Sequence, residues 1–372
     1  MAAPPSSAGN KAGGPSVPVA PRIDKSVMRA EPRVQAVATA IPPYILDQPE
    51  IERLAAHVFD RRTSEIERLL PVFANSGIER RYSCVPVEWF FEPHGWRERN
   101  ALYVRHALDL ICRAARSCLD DAACAAEEVD AVVVVSTTGI ATPSLDALLM
   151  ERMGLRRDVV RLPVFGLGCA GGVLGLAPAA ALARGGRTVL VLAVELCALT
   201  FRQNDSSKSN IIAAALFGDG AAALLIRDGG AGPALGASGS YTWSDSLDVM
   251  GWHVEDDGLG VLFSRDIPTL VRRDLRAATD RFLAGRQLSR ALVDGYVCHP
   301  GGVKVMQAIE EALELRGDQT EDARAVLRDY GNMSAVTVLF VLDRQLRRGL
   351  SGRSLMLALG PGFTVGYQVL EA

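Results

Sequence analysis

The sequence predicts an α/β protein made of two related lobes, each a mixed sheet covered by helices. Continuous apolar runs rich in β-branched residues, such as 130–136 and 188–195, are typical of strands buried on both faces. Runs with apolar residues at helical spacing follow most of these strands. The same alternation of strands and helices recurs in the second half of the chain, so we expect both lobes to be α/β.

The composition is that of a globular protein and excludes several classes of function. The 372 residues are 49% hydrophobic and 22% charged, enough for one large core or two fused ones. A net charge of -3 is not typical of a nucleic-acid-binding protein or a basic membrane-surface protein. We expect no membrane span, because Gly, Pro or a charge interrupts every long apolar run.

The N-terminal segment and the cysteines indicate the cellular setting. Residues 1–22 are rich in Ala, Pro, Ser and Gly and lack the apolar run of a secretion signal, so we expect 1–30 to be a disordered tail. The 7 cysteines form no CxxC pair and no zinc-like spacing, so no metal site is expected. An odd number of cysteines without a signal peptide predicts a reducing, cytoplasmic environment.

The N-terminal lobe, 31–235, is expected to carry a long amphipathic helix at 96–123, where apolar residues recur at helical spacing. A buried strand at 159–165 precedes Cys169, and a buried helix at 173–182 follows it. The other expected elements of this lobe are strands at 33–41, 130–136, 188–195 and 213–226, the last interrupted at Gly218-Asp219-Gly220, and helices at 47–59, 63–73 and 143–153.

The C-terminal lobe, 236–372, repeats this pattern. Strands at 238–254 and 259–264 are joined by the turn Asp256-Asp257-Gly258, and a strand at 292–298 ends at His299-Pro300. The other expected elements of this lobe are strands at 354–359 and 363–370 and helices at 268–284, 303–315 and 334–347.

Cys169 is the candidate nucleophile. It lies in the run Val164-Phe165-Gly166-Leu167-Gly168-Cys169-Ala170-Gly171-Gly172, at a predicted strand-to-helix junction. The positive end of the helix dipole and the free N–H groups there favour the thiolate, the reactive form of cysteine. The glycines allow a substrate to approach the sulfur closely.

His299 and Asn332 are candidate partners of this thiol. His299 follows a buried strand and precedes Pro300, and Asn332 lies in a turn before a helix. A thiol needs a base to become a thiolate, and a thioester under attack needs hydrogen-bond donors at its oxyanion. An amide donor stays neutral, so it stabilises an enolate without quenching it. Each residue alone is more often structural, as a packed thiol, a turn residue or a helix cap.

Several motifs give the chain a family resemblance. From about residue 33 to the C-terminus it resembles the type III polyketide synthases, the chalcone-synthase-like branch of the thiolase superfamily. The resemblance implies a thiolase-like duplicated αβαβα fold and a homodimer. The motifs are Gly168-Cys169-Ala170-Gly171-Gly172, Leu216-Phe217-Gly218-Asp219-Gly220, Cys298-His299-Pro300-Gly301-Gly302, Tyr330-Gly331-Asn332-Met333-Ser334 and Gly360-Pro361-Gly362.

The resemblance also implies a reaction. A starter acyl-CoA would acylate Cys169, and His299 and Asn332 would hold the thioester carbonyl and promote decarboxylation of malonyl-CoA. The enolate would attack the Cys-bound acyl group, and the product would then cyclise. Thioester exchange and electrostatic stabilisation of an enolate need no metal or organic cofactor.

The resemblance assigns further residues to substrate and CoA. Phe217 matches the family's gatekeeper aromatic, and Val261 falls where a second, larger gatekeeper stands in plant members. Arg68 and Lys304 are candidate ligands of the CoA phosphates, although the neighbouring family positions fall on Pro71 and Asn75. The remaining residues expected to line the substrate cavity are Cys197, Thr200, Thr138, Gly218 and Ser334.

The stretch 200–210 and the run Met250-Gly251-Trp252 resemble bacterial alkylresorcinol and alkylpyrone synthases, which accept long-chain acyl starters. The expected product is therefore an alkylpyrone or alkylresorcinol. Two alternatives remain open: a tetrahydroxynaphthalene-type synthase with a malonyl starter, and a ketoacyl synthase of the fatty-acid initiating type. The motif His-Pro-Gly-Gly departs from the His-Gln-Ala-Asn of the ketoacyl synthases.

A dehydrogenase is the remote alternative. Gly166-x-Gly168-x-x-Gly171 is also a dinucleotide fingerprint, and Glu195 ends the next strand, where a ribose-binding acid would lie. A cysteine between the glycines has no role in holding a pyrophosphate. The motifs around His299 and Asn332 would also go unexplained.

Overall fold

The computed structural model describes residues 31–60 and 66–372, with the side chains of 60, 66 and 67 left aside. The predicted tail, 1–30, lies outside the described residues. The strands that carry the fold form one nine-stranded mixed sheet in the order β11-β12-β13-β8-β1-β7-β6-β4-β5. No helix in the described ranges is long and apolar enough to cross a membrane.

The first half of the chain supplies seven strands and eight helices of the described structure. The strands are β1 Pro32–Ala40, β2 Tyr44–Asp47, β3 Arg80–Ser83, β4 Ala131–Val135, β5 Val160–Val164, β6 Val189–Leu196 and β7 Asp219–Asp228. The helices are α1 Gln48–Asp60, α2 Ile66–Leu69, α3 Pro71–Ala74, α4 Trp96–Asp121, α5 Leu145–Met153, α6 Gly171–Leu174, α7 Leu176–Ala183 and α8 Lys208–Leu216.

The second half supplies the rest of the described elements. The strands are β8 Ala234–Thr242, β9 Met250–Glu255, β10 Gly258–Phe263, β11 Gly295–Cys298, β12 Arg353–Gly360 and β13 Thr364–Glu371. The helices are α9 Ile267–Ala284, α10 Val303–Leu313, α11 Glu321–Tyr330 and α12 Thr337–Arg347.

The two halves of the large sheet have the same strand topology, as the predicted fold class requires. In the first half β4 and β6 are parallel, while β6–β7 and β7–β1 are antiparallel. In the second half β11 and β12 are parallel, while β12–β13 and β13–β8 are antiparallel. The halves join where β1 meets β8, at the pair Arg33–Ala234. The lobes therefore share one continuous sheet, and the apolar core packs on both of its faces.

The structure corrects several predicted elements. The run 159–165 is not buried: β5 is an edge strand, with Val160 and Phe165 exposed by 41% and 60%. Residues 213–216 belong to α8 and not to a strand, because the apolar face of this helix packs against Phe201 and α1. The helix expected at 63–73 is two short helices, and 61–65 lie outside the described residues.

Two elements have no counterpart in the sequence prediction, namely α11 and the hairpin of β2 and β3. α11, at Glu321–Tyr330, has apolar residues at helical spacing, Ala323, Val326, Leu327 and Tyr330, so the sequence carried a signal that the prediction missed. The hairpin of β2 and β3 and the hairpin of β9 and β10 lie outside the large sheet. The hairpin of β9 and β10, from Met250 to Phe263, has the turn expected at Asp256-Asp257-Gly258, but the single strand expected at 238–254 is two strands, β8 and β9. This hairpin covers the site described next.

Candidate active site

Cys169 lies where the two lobes meet. It is in a single 3-10 turn, Gly168–Ala170, between β5 and α6, and it is 8% exposed. A Cβ on Gly168 would lie 2.6 Å from Pro361, and one on Gly172 would lie 2.1 Å from the carbonyl oxygen of Ala335. Only glycine, which has no Cβ, permits this approach. The glycines around Cys169 therefore let its turn pack closely against the C-terminal lobe.

Asn332 connects the cysteine turn to the histidine loop. Its Nδ2 donates to the carbonyl of Gly301 at 3.1 Å, and its Oδ1 accepts from the amide of Ser334 at 2.8 Å. Burial raises the pKa of Cys169, and hydrogen bonds from the side chains of Ser334 and Asn332 oppose that rise, so both groups lie within hydrogen-bonding reach of its sulfur. A carboxamide has two N–H donors, so one holds the loop at Gly301 and the other is left for the sulfur of Cys169.

His299 stands at the end of β11, and its backbone N–H donates to Leu357 on β12 at 2.9 Å. The ring is 3% exposed, and within the described structure neither ring nitrogen has a hydrogen-bond partner. Burial lowers the pKa of His299 to about 3. The imidazole is therefore neutral, with one unprotonated nitrogen, and its burial alone opposes protonation.

Burial opposes the ionisation expected for Cys169. It raises the pKa of this thiol to about 12, against the hydrogen bonds from Ser334 and Asn332 that lower it. The helix that follows continues from α6 into α7, because Gly175 between them keeps helical geometry, so burial outweighs the effect of this helix start. The sequence-based expectation of a thiolate set by the helix start is not met; ionisation requires a partner that takes the proton.

Glu195 is a site residue that the sequence suggested only as a ribose ligand. It is fully buried at the end of β6. Its Oε2 accepts from the amide of Thr137 at 3.0 Å and from the hydroxyl of Thr138 at 2.9 Å, and its Oε1 accepts from Ser334 Oγ at 3.3 Å. Burial raises the pKa of Glu195 to about 7. A carboxyl inside an otherwise apolar strand was the signal available in the sequence.

Phe217 lies in an apolar cluster with other predicted cavity residues. Cys197 and Val261 belong to the same cluster. Trp252 and Phe263 from the hairpin also join it, with ring centroids 6.2 and 5.7 Å from that of Phe217. Burial raises the pKa of Cys197, and smaller electrostatic contributions come from Glu195, Asp219 and Cys169, so this cluster lies near the candidate nucleophile.

An apolar pocket that is partly open to solvent, which we call the α1 pocket, starts at this cluster. Thr200 lies in its wall and donates its hydroxyl to the carbonyl of Cys197 at 2.7 Å. The pocket is lined by Leu46, Ile51, Leu54, Ala55, Val58, Arg81, Phe90, Cys197, Ala198, Thr200, Phe201, Ala213, Ala214 and Phe217.

The remaining predicted residues fall into two groups. Gly218 donates its N–H to the carbonyl of Asn332 at 3.0 Å, so it holds the strand of Phe217 beside the asparagine. Arg68 on α2 and Lys304 on α10 are exposed, as are Pro71 and Asn75. Among the described residues, neither Arg68 nor Lys304 belongs to the wall of the α1 pocket.

The structure removes the basis of the dinucleotide alternative. Glu195 is occupied by three hydrogen bonds inside the protein, so it cannot bind a ribose. A Cβ on Gly171 would lie 2.6 Å from Val135, and Gly168 abuts Pro361. These glycines serve packing between elements and leave no cradle for a pyrophosphate.

Comparison with known proteins shows the family of the chain. Models of the chalcone and stilbene synthases match the chain, the N-terminal domain over 25–233 and the C-terminal domain over 242–372. The 1,3,6,8-tetrahydroxynaphthalene synthase of Streptomyces peucetius subsp. caesius is 36% identical over 91% of this chain and 92% of its own length. The 3,5-dihydroxyphenylacetyl-CoA synthase of Amycolatopsis balhimycina is 29% identical over 91% and 92%.

Solved structures show the same relationship. The crystal structure of the 1,3,6,8-tetrahydroxynaphthalene synthase of Streptomyces coelicolor A3(2), a bacterial type III polyketide synthase, superposes with a TM-score of 0.87 at 27% identity. The superposition covers 91% of this chain and 98% of the solved chain. The chain therefore belongs to the chalcone and stilbene synthases, the type III polyketide synthases, and is an acyltransferase that joins CoA thioesters by Claisen-type condensation.

Proposed function

We propose that Cys169, His299 and Asn332 carry this condensation. The observation that carries the proposal is the position of Asn332, which is hydrogen-bonded to the histidine loop at Gly301 and faces the sulfur of Cys169. The thiol proton passes to the neutral imidazole of His299, and the resulting thiolate and imidazolium stabilise each other. The sulfur then attacks the starter thioester, and CoA leaves as its thiol.

His299 and Asn332 next act on malonyl-CoA. Both donate hydrogen bonds to its thioester carbonyl, so the electron pair released with CO₂ forms a stabilised enolate. The enolate carbon attacks the acyl carbonyl on Cys169, a C–C bond forms and the sulfur leaves. The chain then cyclises. We propose that this chemistry runs without a metal or organic cofactor.

We propose a long-chain fatty acyl starter and an alkylpyrone or alkylresorcinol product. The support is the α1 pocket, which begins at Cys197 and Phe217 and has a wall that is mostly apolar. Val261 is small and partly buried beside Phe217, so it takes less of the space between the β9–β10 hairpin and Phe217 than an aromatic side chain would. An alkyl chain fits such a wall because burial of apolar surface favours it by about 25 cal/mol per Å².

A second candidate is a tetrahydroxynaphthalene-type synthase with a malonyl starter. It is favoured by the 36% identical relative of that name. Incubating the enzyme with malonyl-CoA and a panel of acyl-CoAs from two to sixteen carbons, followed by mass spectrometry, separates the two. Alkylated pyrones or resorcinols from the long starters support our proposal. A naphthalene product from malonyl-CoA alone, with no alkylated product, contradicts it.

The assembly is also a proposal. We propose that the lobes divide at residues 235 and 236, that the chain forms a cytoplasmic homodimer, and that the exposed basic residues Arg68 and Lys304 contact CoA phosphates. The edge strand β5 supports the dimer, because Val160 on it and Phe165 just after it are apolar and exposed, and its outer backbone groups are unpaired in the sheet.

A further inference from the structure

The β9–β10 hairpin forms a two-stranded sheet of its own, separate from the nine-stranded sheet. A single two-stranded hairpin is only marginally stable by itself, so its contacts with the N-terminal lobe must hold it in place. One of these contacts is apolar: Trp252, Val261 and Phe263 pack into the cluster that contains Phe217. A second contact, at the tip of the hairpin, is an ion pair.

Asp257 lies in the turn at the tip, and Arg202 lies in the loop before α8. Arg202 Nε donates to Asp257 Oδ1 at 2.7 Å, and both side chains are partly buried. The hairpin backbone also approaches this guanidinium closely, because a Cβ on Gly260 would lie 3.1 Å from Arg202 Nη1. Salt screens a partly buried pair less than an exposed one. The pair Arg202–Asp257, which we call the hairpin clamp, therefore joins the tip to the N-terminal lobe.

The lobe side of the hairpin clamp is held by α8. Asn210, in the first turn of α8, is buried. Its Nδ2 donates to the carbonyls of Arg202 and Asp205 at 2.8 and 2.6 Å, and its Oδ1 accepts from the amide of Arg202 at 3.3 Å. Nη1 of Arg202 donates to Asp205 at 3.2 Å. Both the backbone and the side chain of Arg202 are thus fixed before they meet the hairpin.

A second arginine supports the turn from below. A Cβ on Gly258 would lie 3.4 Å from Cδ of Arg99. The guanidinium of Arg99 is bound to the backbone of the lobe, with Nε donating to the carbonyl of His94 at 2.9 Å and Nη1 to that of Leu199 at 2.8 Å. Arg99 therefore gives the tip a surface to rest on, and the hairpin clamp keeps the tip there.

The position of the hairpin bears on Phe217, which belongs to the wall of the α1 pocket. The rings of Trp252 and Phe263 pack on the ring of Phe217, so a displaced hairpin would release it. We propose that Arg202 and Asp257 are positioning residues. Their ion pair holds the hairpin against Phe217 and keeps that part of the pocket wall in place for a long acyl starter.

Only the effect on the starter rests on the proposed function. A wall that is already in place costs less to bind than one that must be ordered, and a long chain makes more contact with it than a short one. The hairpin clamp itself can be measured without any CoA thioester. A failure of the clamp and a failure of the proposed starter are therefore separate results.

Hydrogen exchange of the full chain, followed by mass spectrometry, tests the hairpin clamp. In Arg202→Met and in Asp257→Ala, the amides of 250–263 should exchange at least tenfold faster than in the wild type, while those of β4 and β6 keep their rates. The double variant should exchange no faster than the more affected single variant, because both changes remove the same bond. Arg202→Lys, which keeps the charge, should fall between Arg202→Met and the wild type. Unchanged hairpin exchange in both single variants, or equal acceleration in β4 and β6, overturns the proposal.

Steady-state kinetics test the effect on the starter. In Arg202→Met, KM for a sixteen-carbon acyl-CoA should rise at least fivefold with kcat within twofold of the wild type, and KM for a six-carbon acyl-CoA should stay within twofold. Equal changes for the two starters would refute the positioning role. A wild type that forms no product from the sixteen-carbon starter contradicts the proposed starter, and hydrogen exchange alone then decides on the clamp.

Two matched controls separate this pair from a general effect of charge. Asp256→Ala removes the exposed carboxylate next to Asp257 in the same turn. Arg265→Met removes an arginine just after the hairpin whose side chain is 83% exposed. Both variants should keep the hairpin exchange and the KM values of the wild type. Acceleration equal to that of Asp257→Ala or Arg202→Met in either control would refute the assignment to this pair.

Discussion

The hydroxyl of Ser334 donates a hydrogen bond to Glu195, with 3.3 Å between Oγ and Oε1, across 139 positions of sequence. Ser334 follows Asn332 in the C-terminal lobe, and Glu195 ends β6 in the N-terminal lobe. Both side chains act on the pKa of Cys169. A buried carboxyl and the candidate nucleophile therefore share one hydrogen-bonded centre between the lobes.

The buried carboxyl of Glu195 should make stability depend on pH. Its pKa is about 7 in the folded chain against an ordinary value of 4.5. The extra stability is complete below pH 4.5, declines as the pH rises towards 7, and is then lost. The difference of about 2.5 between the two pKa values corresponds to about 3 kcal/mol.

Urea unfolding at pH 5 and pH 7.5 measures this effect. Glu195→Gln should show a smaller fall in the free energy of unfolding between the two pH values than the wild type. Glu255→Gln, at an exposed position on β9, is the control, and its free energy of unfolding should fall between the two pH values by as much as that of the wild type. An identical fall in Glu195→Gln would show that this carboxyl does not titrate in that window.

Replacing His299 with Gln should shift the ionisation of Cys169 to higher pH. Burial keeps the thiol protonated, and the unpartnered imidazole is the base we assign to it. The rate of iodoacetamide alkylation at Cys169 is followed by mass spectrometry across pH 6 to 10. The pH at which this rate increases should be higher in the variant than in the wild type. Cys124 serves as the internal reference. Superimposable pH profiles would remove His299 from this role.

Asn332→Ala should slow decarboxylation of malonyl-CoA by about 10²-fold, since it removes one donor to the developing enolate. Asn332→Asp should be at least as slow, because it keeps the acceptor for Ser334 but places a negative charge beside the enolate. Release of CO₂ from labelled malonyl-CoA measures both. Full activity in either variant contradicts the assigned role.

Cys169→Ala should abolish condensation and retain part of this decarboxylation.

Val261→Phe should shorten the preferred starter. The larger ring would fill the space beside Phe217 and Trp252, where Val261 is the cross-strand partner of Trp252. We expect at least a tenfold drop in kcat/KM for a sixteen-carbon acyl-CoA relative to a six-carbon one. Val254→Phe on the same hairpin is 78% exposed and is the matched control. An unchanged chain-length preference in Val261→Phe would refute the assignment.

A charge on the edge strand should disrupt the proposed dimer. Val160→Lys places an ammonium group on the exposed edge of β5, where it opposes strand-to-strand association. Sedimentation velocity should show a monomer for this variant and a dimer for the wild type. Val254→Lys, on the exposed hairpin, should remain a dimer. A monomeric wild type would exclude the assembly.

Much of the fold followed from local sequence patterns. The runs at β4 and β6 are buried strands because both faces of the sheet are covered, and α4 matches its apolar spacing closely. The pattern failed at β5 and α8. Both segments are short and apolar, and only their neighbours determine whether such a segment becomes an edge strand, a buried strand or a helix.

The sequence by itself determined the two-lobed α/β fold, the family and the three candidate residues Cys169, His299 and Asn332, because each stands in a local motif at the end of an element. The tertiary structure decided their electrostatics. It buried the thiol and the imidazole, which raises one pKa and lowers the other, and it brought Glu195 to Ser334. It also formed the α1 pocket beside Phe217. Desolvation and contacts between distant segments depend on the whole packed chain, so no local pattern encodes them.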